Sequence, residues 1–170
     1  MSADDSKPFL SSLAHHAADP FRLLVESVVD YAIYMVDPAG TISSWNPGAE
    51  RIYGYQADEI IGRPFTSVFL EEDVASGKAE QAWQQVVSQG RCEHESLRVR
   101  RDGTQFWAVV NISNLKDVLG RHVGFCVVTR DITERKQAED ALRKEHDLTS
   151  AILGSLPGVF YLYTGIPQMA

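Results

Sequence analysis

The sequence is poor in the features that mark several common classes of protein. Only two of its 170 residues are cysteines, Cys92 and Cys126, and their separation fits no metal-binding or redox motif, so we expect reduced thiols. No apolar run reaches the roughly 18 to 20 residues that a membrane helix needs, and the N-terminus lacks the basic segment of a signal peptide. We therefore expect a cytoplasmic protein that makes no membrane contact through this segment.

Positive charge is also scarce. Lysine and arginine total 16 against 23 aspartates and glutamates, a formal net charge of -7, and the basic residues form no run. This balance argues against nucleic-acid binding, because phosphate backbones are held mainly by clustered Lys and Arg. Neither a phosphate-binding glycine loop nor a nucleophile elbow occurs, so we expect no catalytic site, and we expect no metal site. The composition instead predicts a globular chain with one core of roughly 100 to 130 residues.

Helix and turn signals divide the chain. Residues 1–19 are small and polar, which predicts a flexible tail, and Asp19-Pro20 is typical of the start of a helix, here a short flanking one. Two strands are predicted around the turn DPAG, in AIYMVD and GTISSW. Asn46-Pro47 predicts a second short helix, and residues 72–90 predict a longer one that Gly90 ends.

Three strand-like runs follow between residues 93 and 133, with turns at Arg101-Asp102-Gly103 and at Leu119-Gly120. Two strands, then helices, then three strands indicate an α+β fold in which an antiparallel sheet carries helices on one face.

Four motifs make the prediction more specific. DPAGTISSWNPGAERIYGY, EIIG, RRDGTQFW and RDIT occur in the order and spacing of a PAS domain, and the stretch from about Pro20 to Thr133 resembles that family along its full length. The resemblance implies a PAS domain with an N-terminal flanking helix at residues 20–133. It also implies a five-stranded antiparallel sheet, a small pocket between the sheet and its helices, and a sensory or relay role without catalysis.

The last predicted strand continues into a helical pattern without an intervening Gly or Pro. Asp131, Ile132 and Thr133 resemble the junction at which PAS domains pass into a signalling helix, which implies a role in signal transmission. Thr133 is expected to cap the helix and Glu134 to complement its dipole, while Asp131 is expected to form a hydrogen bond or ion pair that couples sheet and helix. Acid-before-base pairs at Glu139 and Arg143, and at Asp140 and Lys144, should support it weakly.

The predicted linker helix covers residues 134–153. A weak coiled-coil-like seam of period 3.5 runs through it, at Ala138, Ala141, Glu145, Leu148 and Ile152. Because such a helix is marginal alone in water, the pattern favours a two-helix coil, and a solvated connector is the alternative. Residues 154–170 resemble the truncated start of a second PAS domain, with FYLYT matching IYMVD. The resemblance implies a fragment of a bacterial sensor, most often a histidine kinase in a two-component system and next most often a diguanylate cyclase.

The resemblance also implies where a ligand would bind. The resemblance implies that His94, Ser96 and Arg98 point toward the pocket. The pocket would then have an apolar floor and one cationic edge, which would suit a small carboxylate or another polar metabolite. Hydrophobic alternation argues the reverse, because Leu97 and Val99 are the apolar pair of that strand. The predicted ligand-binding residues are Tyr34, Val36, Phe65, Trp83, His94, Ser96, Arg98, Val110, Phe125, Val127 and Thr129.

Cofactors are constrained by the same alignment. In the light-sensing, flavin-binding LOV relatives a cysteine follows the Gly-Arg turn, and Phe65 stands in that place here, which disfavours a flavin adduct. Haem is disfavoured because the position of the axial histidine falls near Gly77. A non-covalent FAD stays open, since Trp83 resembles a tryptophan of redox-sensing relatives, although helical spacing also fits Trp83 as a core residue. The cofactor is therefore unknown.

An apolar outer face is the last expectation. The inward orientation of Arg98 and the apolar pair Leu97 and Val99 are compatible if the outer face of the sheet is also covered. That face would then carry a second apolar patch, formed by Leu97, Val99, Trp107, Val109 and Val128. Patches of this kind usually mark interfaces. In PAS proteins the patch resembles a homodimer surface that includes the flanking helix. The alternatives are that this helix covers the patch within one monomer, or that the domain is a ligand-free dimerisation scaffold.

Overall fold

The computed structural model describes residues 20–155, and their side chains as far as residue 151. The helices are α1 (Pro20–Ser27), α2 (Pro47–Tyr53), α3 (Ala57–Ile60), α4 (Glu71–Ala75), α5 (Lys78–Gln89) and α6 (Thr133–Ser155), with a 3-10 helix at Phe65–Val68. The strands are β1 (Ala32–Val36), β2 (Arg91–Val99), β3 (Gln105–Lys116) and β4 (His122–Asp131). The predicted tail at 1–19, and the predicted second domain at 154–170 beyond its first two residues, lie outside the described residues.

The strands form one antiparallel sheet in the order β1-β4-β3-β2. The β2–β3 and β3–β4 hairpins turn at the predicted places. In the first, the Arg100 amide donates to the Thr104 carbonyl (2.8 Å); in the second, the Asp117 amide donates to the Arg121 carbonyl (2.9 Å). β1 lies on the far side of β4, so the first strand of the domain pairs with the last. The predicted α+β plan, with an antiparallel PAS-type sheet, is confirmed.

The prediction of five strands is wrong by one, because GTISSW forms only isolated bridges, at Thr41 and Ile42. This segment does run beside β1, but its side chains replace backbone acceptors: the Met35 amide donates to Ser44 Oγ (2.9 Å) and the Ile33 amide donates to Asn46 Oδ1 (2.8 Å). Ile42 itself bonds the loop at 62–63 through both its amide and its carbonyl. A regular ladder therefore cannot continue along it.

Asn46 ties the N-terminal part of the domain together and is only 3% exposed. Its Oδ1 accepts from the Ala49 amide (2.8 Å), which caps α2 as the Asn-Pro signal predicted. Its Nδ2 contacts the carbonyls of Val25, Val28 and Tyr31, at 3.2, 2.9 and 3.2 Å. One amide side chain thus satisfies polar groups of α1, β1 and α2, which fixes where the flanking segment joins the core.

The helices cover one face of the sheet. Alternate strand residues on that face are buried: Ala32, Tyr34, Val36, Phe106, Ala108, Val110, Ile112, Phe125 and Val127. Edge-to-face and tilted aromatic contacts fill part of the core, with ring centroids 4.8 Å apart for Tyr34–Trp45 and 5.3 Å for Tyr53–Phe106. The core therefore lies between the sheet and α2, α3 and α5.

The helix predicted over residues 72–90 is two helices. α4 ends at Ala75, and Gly77 has φ of +76°, a left-handed conformation that favours glycine and interrupts a helix. α5 then buries Ala79, Trp83 and Val86 against the sheet, as their helical spacing predicts.

The chain divides between Thr133 and Glu134, and α6 belongs almost wholly to the second unit. From Gln137 to Ala151 its described side chains are exposed. The expected acid-before-base pairs are not the ones formed: Arg135 pairs with Glu139 (3.0 Å) and Asp140 with Arg143 (3.3 Å). No helix within residues 20–155 combines the length and apolarity that crossing a bilayer requires.

Candidate functional site

A buried arginine is the most unusual feature of the sheet's inner face. Arg98, on the edge strand β2, is only 2% exposed. Its guanidinium carbon lies 3.9 Å from the centroid of the Phe69 ring, and Nη1 donates to the Leu97 carbonyl (3.1 Å). Among the described residues, no carboxylate forms an ion pair with it. Burial without a counter-charge is costly, so a structural role alone explains Arg98 poorly.

His94 lies on the same strand and the same face as Arg98, and its ring stands between Arg98 and Cys92. Arg98 Nη2 is 3.3 Å from His94 Nε2, and His94 Nδ1 is 3.6 Å from Cys92 Sγ. A guanidinium can only donate, so Nε2 must be the acceptor and Nδ1 must carry the proton. Desolvation by burial and the neighbouring Arg98 charge both lower the pKa of His94. The imidazole is therefore neutral at neutral pH.

Ser96 lies between these two residues on the same face of β2. Its Oγ is buried and has no hydrogen-bond partner, and it is the one such side-chain atom found in the described part of the chain. A buried hydroxyl without a partner costs about 1–3 kcal/mol. Three polar side chains on consecutive inward positions therefore include one uncompensated charge and one unused hydroxyl.

Two tyrosines and a threonine extend this polar cluster toward the centre of the sheet. Tyr53 Oη donates to Thr129 Oγ1 (3.2 Å), and Thr129 is fully buried. Burial raises the pKa of Tyr53, and it raises the pKa of Tyr34 well above its usual value, while the Arg98 charge opposes the rise in both. Both phenols are therefore neutral hydrogen-bonding groups within the electrostatic reach of Arg98.

A groove of about 490 Å³ that is open to solvent runs beside the β2 end of this cluster. Its walls are contributed by α4, α5 and β2, and His94, Ser96 and Arg98 all line it. Three acidic residues, Glu72, Asp73 and Glu95, and the ammonium of Lys78 lie at the groove as well. Lys78 pairs with Asp73 at 2.8 Å, which neutralises one of the three acidic groups. A small polar molecule could reach Arg98 by this route.

Another part of the predicted pocket is filled by aromatic rings. Phe65 stacks on Trp83, with centroids 4.5 Å apart and an interplanar angle of 17°, and Trp83 contacts Phe125 at 3.9 Å. Val36, Val110 and Val127 are buried in the same core. The structure thus divides the predicted ligand-binding residues into an apolar group that packs together and a polar group that faces the groove.

The side chains that a flavin adduct or a haem ligand would need are absent from the positions that the family resemblance assigns to them. The position of a flavin-reactive cysteine holds Phe65, which stacks on Trp83, and the two cysteines lie on β2 and β4 instead. Gly77, at the haem-ligand position, offers no side chain. Within residues 20–151, no group of three or more His, Cys, Asp or Glu could hold a metal ion.

The strand-to-helix junction is a second functional region. Asp131 pairs with Arg100, Nη2 to Oδ2 at 2.5 Å, and Arg100 Nη1 also bonds the Ile52 carbonyl. Partial burial opposes ionisation of Asp131, but hydrogen bonds from Arg100 and Thr133 outweigh it, so the pKa is lowered. The expected ion pair or hydrogen bond of Asp131 is therefore present and reaches α2.

Thr133 does not cap α6 as expected. Its Oγ1 accepts from the Trp107 amide (3.0 Å), while its own amide donates to Asp131 Oδ1 (2.9 Å). The Ile132 amide donates to the Trp107 carbonyl (2.9 Å), and Ile132 is buried. The junction residues are thus bonded to β3 on one side and, through Arg100, to α2 on the other.

Sequence reasoning missed several residues of these two regions. Tyr53, Phe69 and Cys92 surround the polar cluster, and Arg100 organises the junction. Arg100 carries a local signal, because it precedes the Arg-Asp-Gly turn in the RRDG motif. Phe69 carries none, since its contact with Arg98 joins residues far apart in the chain.

An antiparallel sheet with helices on one face, a polar cluster beside an open groove and a last strand that passes into a long helix are the features of a small α+β domain. The chain belongs to the PAS domain family, whose family model matches residues 30–134.

Known proteins of similar sequence are signalling proteins. Two-component system protein A of Emericella nidulans is 47% identical over 121 residues, which are 71% of this chain and 18% of that protein. The cell-division control histidine kinase PdhS of Brucella anthropi is 29% identical over 157 residues, covering 87% of this chain and 14% of the kinase. The chain thus spans less than a fifth of either relative.

A solved structure agrees with the fold. The PAS domain of a protein from Colwellia psychrerythraea superposes with a TM-score of 0.61 and 25% identity, covering 74% of this chain and 98% of that domain. This structure agrees with the PAS fold, and the relation to two-component signalling proteins comes from the sequence relatives.

Proposed function

We propose that this PAS domain is a sensory and relay module of a longer two-component signalling protein, with a histidine kinase as the effector and a diguanylate cyclase as the next candidate. Its role is regulatory rather than catalytic. A small ligand or partner at the inner face of the sheet would bias β4, and α6 would carry the change onward. The relatives support the class of parent protein, because both are two-component signalling proteins.

The observation that carries the relay step is the hydrogen-bonded junction. Asp131, Ile132 and Thr133 are held by Arg100 and by both backbone groups of Trp107. Because β4 ends at Asp131 and α6 begins at Thr133, a shift of the last strand relative to β3 must strain or break these bonds. The junction is thus a suitable two-state element whose balance a ligand could bias.

The inner face supports the sensory step. Arg98 without a counter-charge and Ser96 without a partner are polar groups that a bound molecule would satisfy. A ligand-free dimerisation scaffold is the second candidate, and the packed rings of Phe65, Trp83 and Phe125 favour it, since they leave that part of the interior closed.

Dimerisation is part of the proposal in either case. α1 has no buried residue, and it exposes Leu23 and Leu24 to 41% and 64%. The outer sheet face carries half-buried Val109 and Val128 and exposes Met35 to 40%. Apolar groups on α1 and on this face would be covered together by a second copy of the chain.

The relay through α6 is tested by changing its phase. One residue inserted after Ala138 turns everything downstream by about 100°, whereas seven residues restore a heptad seam. We expect kinase output of the full-length protein to lose its normal regulation with one inserted residue and to recover it largely with seven. A seven-residue insertion in the exposed loop around Val118 serves as the length control. Equal output from the one- and seven-residue insertions would rule out a helical relay.

A further inference from the structure

We propose that the groove beside β2 binds a small monocarboxylate through Arg98, Ser96 and His94, and that binding takes up one proton at His94. The inference rests on the proposed sensory function and gives that function a ligand class and a pH dependence.

The first argument is the charge of Arg98. Its side chain is buried, lines the groove and makes one backbone hydrogen bond, one contact with an imidazole nitrogen and one with an aromatic face. Among the residues that the structure describes, most of its five N–H donors therefore have no acceptor. A guanidinium binds a carboxylate through two parallel hydrogen bonds, so a carboxylate would supply both the missing charge and the missing acceptors.

The second argument is the position of Ser96. Ser96 lines the same groove, its buried Oγ has no hydrogen-bond partner, and it lies on the same strand face as Arg98 and His94. A hydroxyl can donate to a carboxylate oxygen. An uncharged ligand could satisfy Ser96 but would leave the charge of Arg98 uncompensated.

The third argument concerns the proton. In this structure Nε2 of His94 accepts from Arg98. When Arg98 donates to a carboxylate instead, Nε2 loses that donor and becomes free to bind a proton from solvent. The resulting imidazolium would be a third donor to the anion, and the negative charge would favour it. Binding of the anion and protonation of His94 are therefore coupled, and each strengthens the other.

The charged groups around His94 limit the ligand's charge. Cys92 and Arg98 face it from β2, and Glu95 lies at the groove on the same strand. Glu72 and Asp73 face the groove from α4, and Lys78 from α5, where it pairs with Asp73. With three acidic groups at the groove and only one lysine to offset them, a singly charged anion is favoured over a phosphate dianion or a dicarboxylate.

The test uses isotope-labelled protein and three monocarboxylates: acetate, pyruvate and benzoate. NMR signals of the Arg98 side chain and the His94 ring are followed during titration at about pH 6 and about pH 7.5, which bracket the usual range of imidazole titration. Acetamide and benzamide are the uncharged controls, and inorganic phosphate is the multiply charged one. We expect at least one monocarboxylate to bind, with an affinity at least about threefold higher at the lower pH.

Variants assign the roles. R98M is expected to weaken binding at least tenfold and S96A about fivefold, while H94Q keeps binding but loses its pH dependence. Arg91→Met, on the exposed end of the same strand, is the matched control and should bind as the wild type does. Because Ser96→Ala changes volume little, it keeps the test decisive if R98M perturbs the fold.

Several outcomes would overturn the proposal. They are the absence of shifts at Arg98 and His94 with all three acids, equal binding of the amides, equal loss in the Arg91 control, or an affinity independent of pH. Tight amide binding at the same signals would leave the sensory function standing with a neutral ligand. The α6 insertions test the relay without any ligand, so failure of the two proposals can be told apart.

Discussion

A buried guanidinium without a carboxylate partner lowers the stability of a fold, and Arg98 is such a residue. Its contacts with Phe69 and His94 recover part of the desolvation cost. We therefore expect R98M to raise the free energy of unfolding of the ligand-free domain by about 1 kcal/mol. Urea unfolding of the wild type and R98M at neutral pH measures this difference in the free energy of unfolding.

Arg91→Met controls for the loss of a positive charge from the same strand, and it should change stability by less than about 0.5 kcal/mol because Arg91 is exposed. A substantial loss of stability in R98M would instead identify Arg98 as a structural residue. A gain, together with lost carboxylate binding, is the pattern of a residue retained for function at the expense of stability.

The orientation of Arg98 shows what sequence can and cannot determine at single positions. Apolar alternation along β2 pointed Leu97 and Val99 inward, whereas the family resemblance pointed Arg98 inward, and Arg98 is the buried residue. Alternation failed because Leu97 and Val99 are themselves half-buried, so both faces of β2 carry apolar or partly covered side chains. The empty hydrogen-bonding capacity of Ser96 could not be predicted, since it depends on what other elements fail to provide.

At the scale of elements, the junction between β4 and α6 depends on one partly exposed ion pair. The side chains of Arg100 and Asp131 are 26% and 28% exposed. Because the pKa of Asp131 is lowered in the fold, the pair's contribution is complete above the unfolded value of about 3.9 and is lost as pH falls through the lower folded value. We expect the stability difference between wild type and Asp131→Asn, about 1 kcal/mol at neutral pH after allowance for solvent screening, to disappear in that acidic window.

Urea unfolding of both proteins between about pH 2.5 and about pH 7 follows this difference. Asp30→Asn is the matched control, because Asp30 pairs with Arg51 on the surface, where the side chains are 77% and 67% exposed. That control should cost less than about 0.5 kcal/mol throughout. A difference for Asp131→Asn that persists undiminished at the acidic end would mean that the carboxylate charge contributes nothing to the junction.

Elements were predictable where their signals are local. Both hairpins turn at the glycine-containing sequences that predicted them, and Asn46 caps α2 as the Asn-Pro pair indicates. Prediction failed where a distant partner decides. Ser44 supplies a side-chain acceptor in place of a strand carbonyl, and the Thr133 hydroxyl bonds β3 instead of capping its own helix. The division of the long helix at Gly77 is a different failure, because a left-handed glycine is a local signal that the helical periodicity outweighed in the prediction.

At the scale of the whole molecule, the described residues leave three apolar features uncovered within one chain. α1 buries none of its residues, and the outer sheet face carries Val109 and Val128 beside exposed Met35. In α6, Leu142 and Leu148 are 69% and 62% exposed. A homodimer formed through the flanking helix and the outer sheet face would cover the first two features, and paired α6 helices would cover the third.

We expect Val109→Glu, and separately Leu24→Glu, to shift the chain from dimer toward monomer, because each places a charge in the proposed interface. Light scattering coupled to size-exclusion chromatography over a concentration series measures the mass, and thermal unfolding verifies that each variant is folded. Val87→Glu is the matched control: Val87 is 53% exposed on α5, away from the outer face of the sheet. If the wild type is monomeric at every concentration, or if Val87→Glu dissociates the dimer as strongly as Val109→Glu does, the proposed interface is wrong. If only the two interface variants dissociate the dimer, the proposed interface holds the wild-type dimer together. The α6 helices of its two chains then belong to one assembly, which the relay through a coiled coil requires.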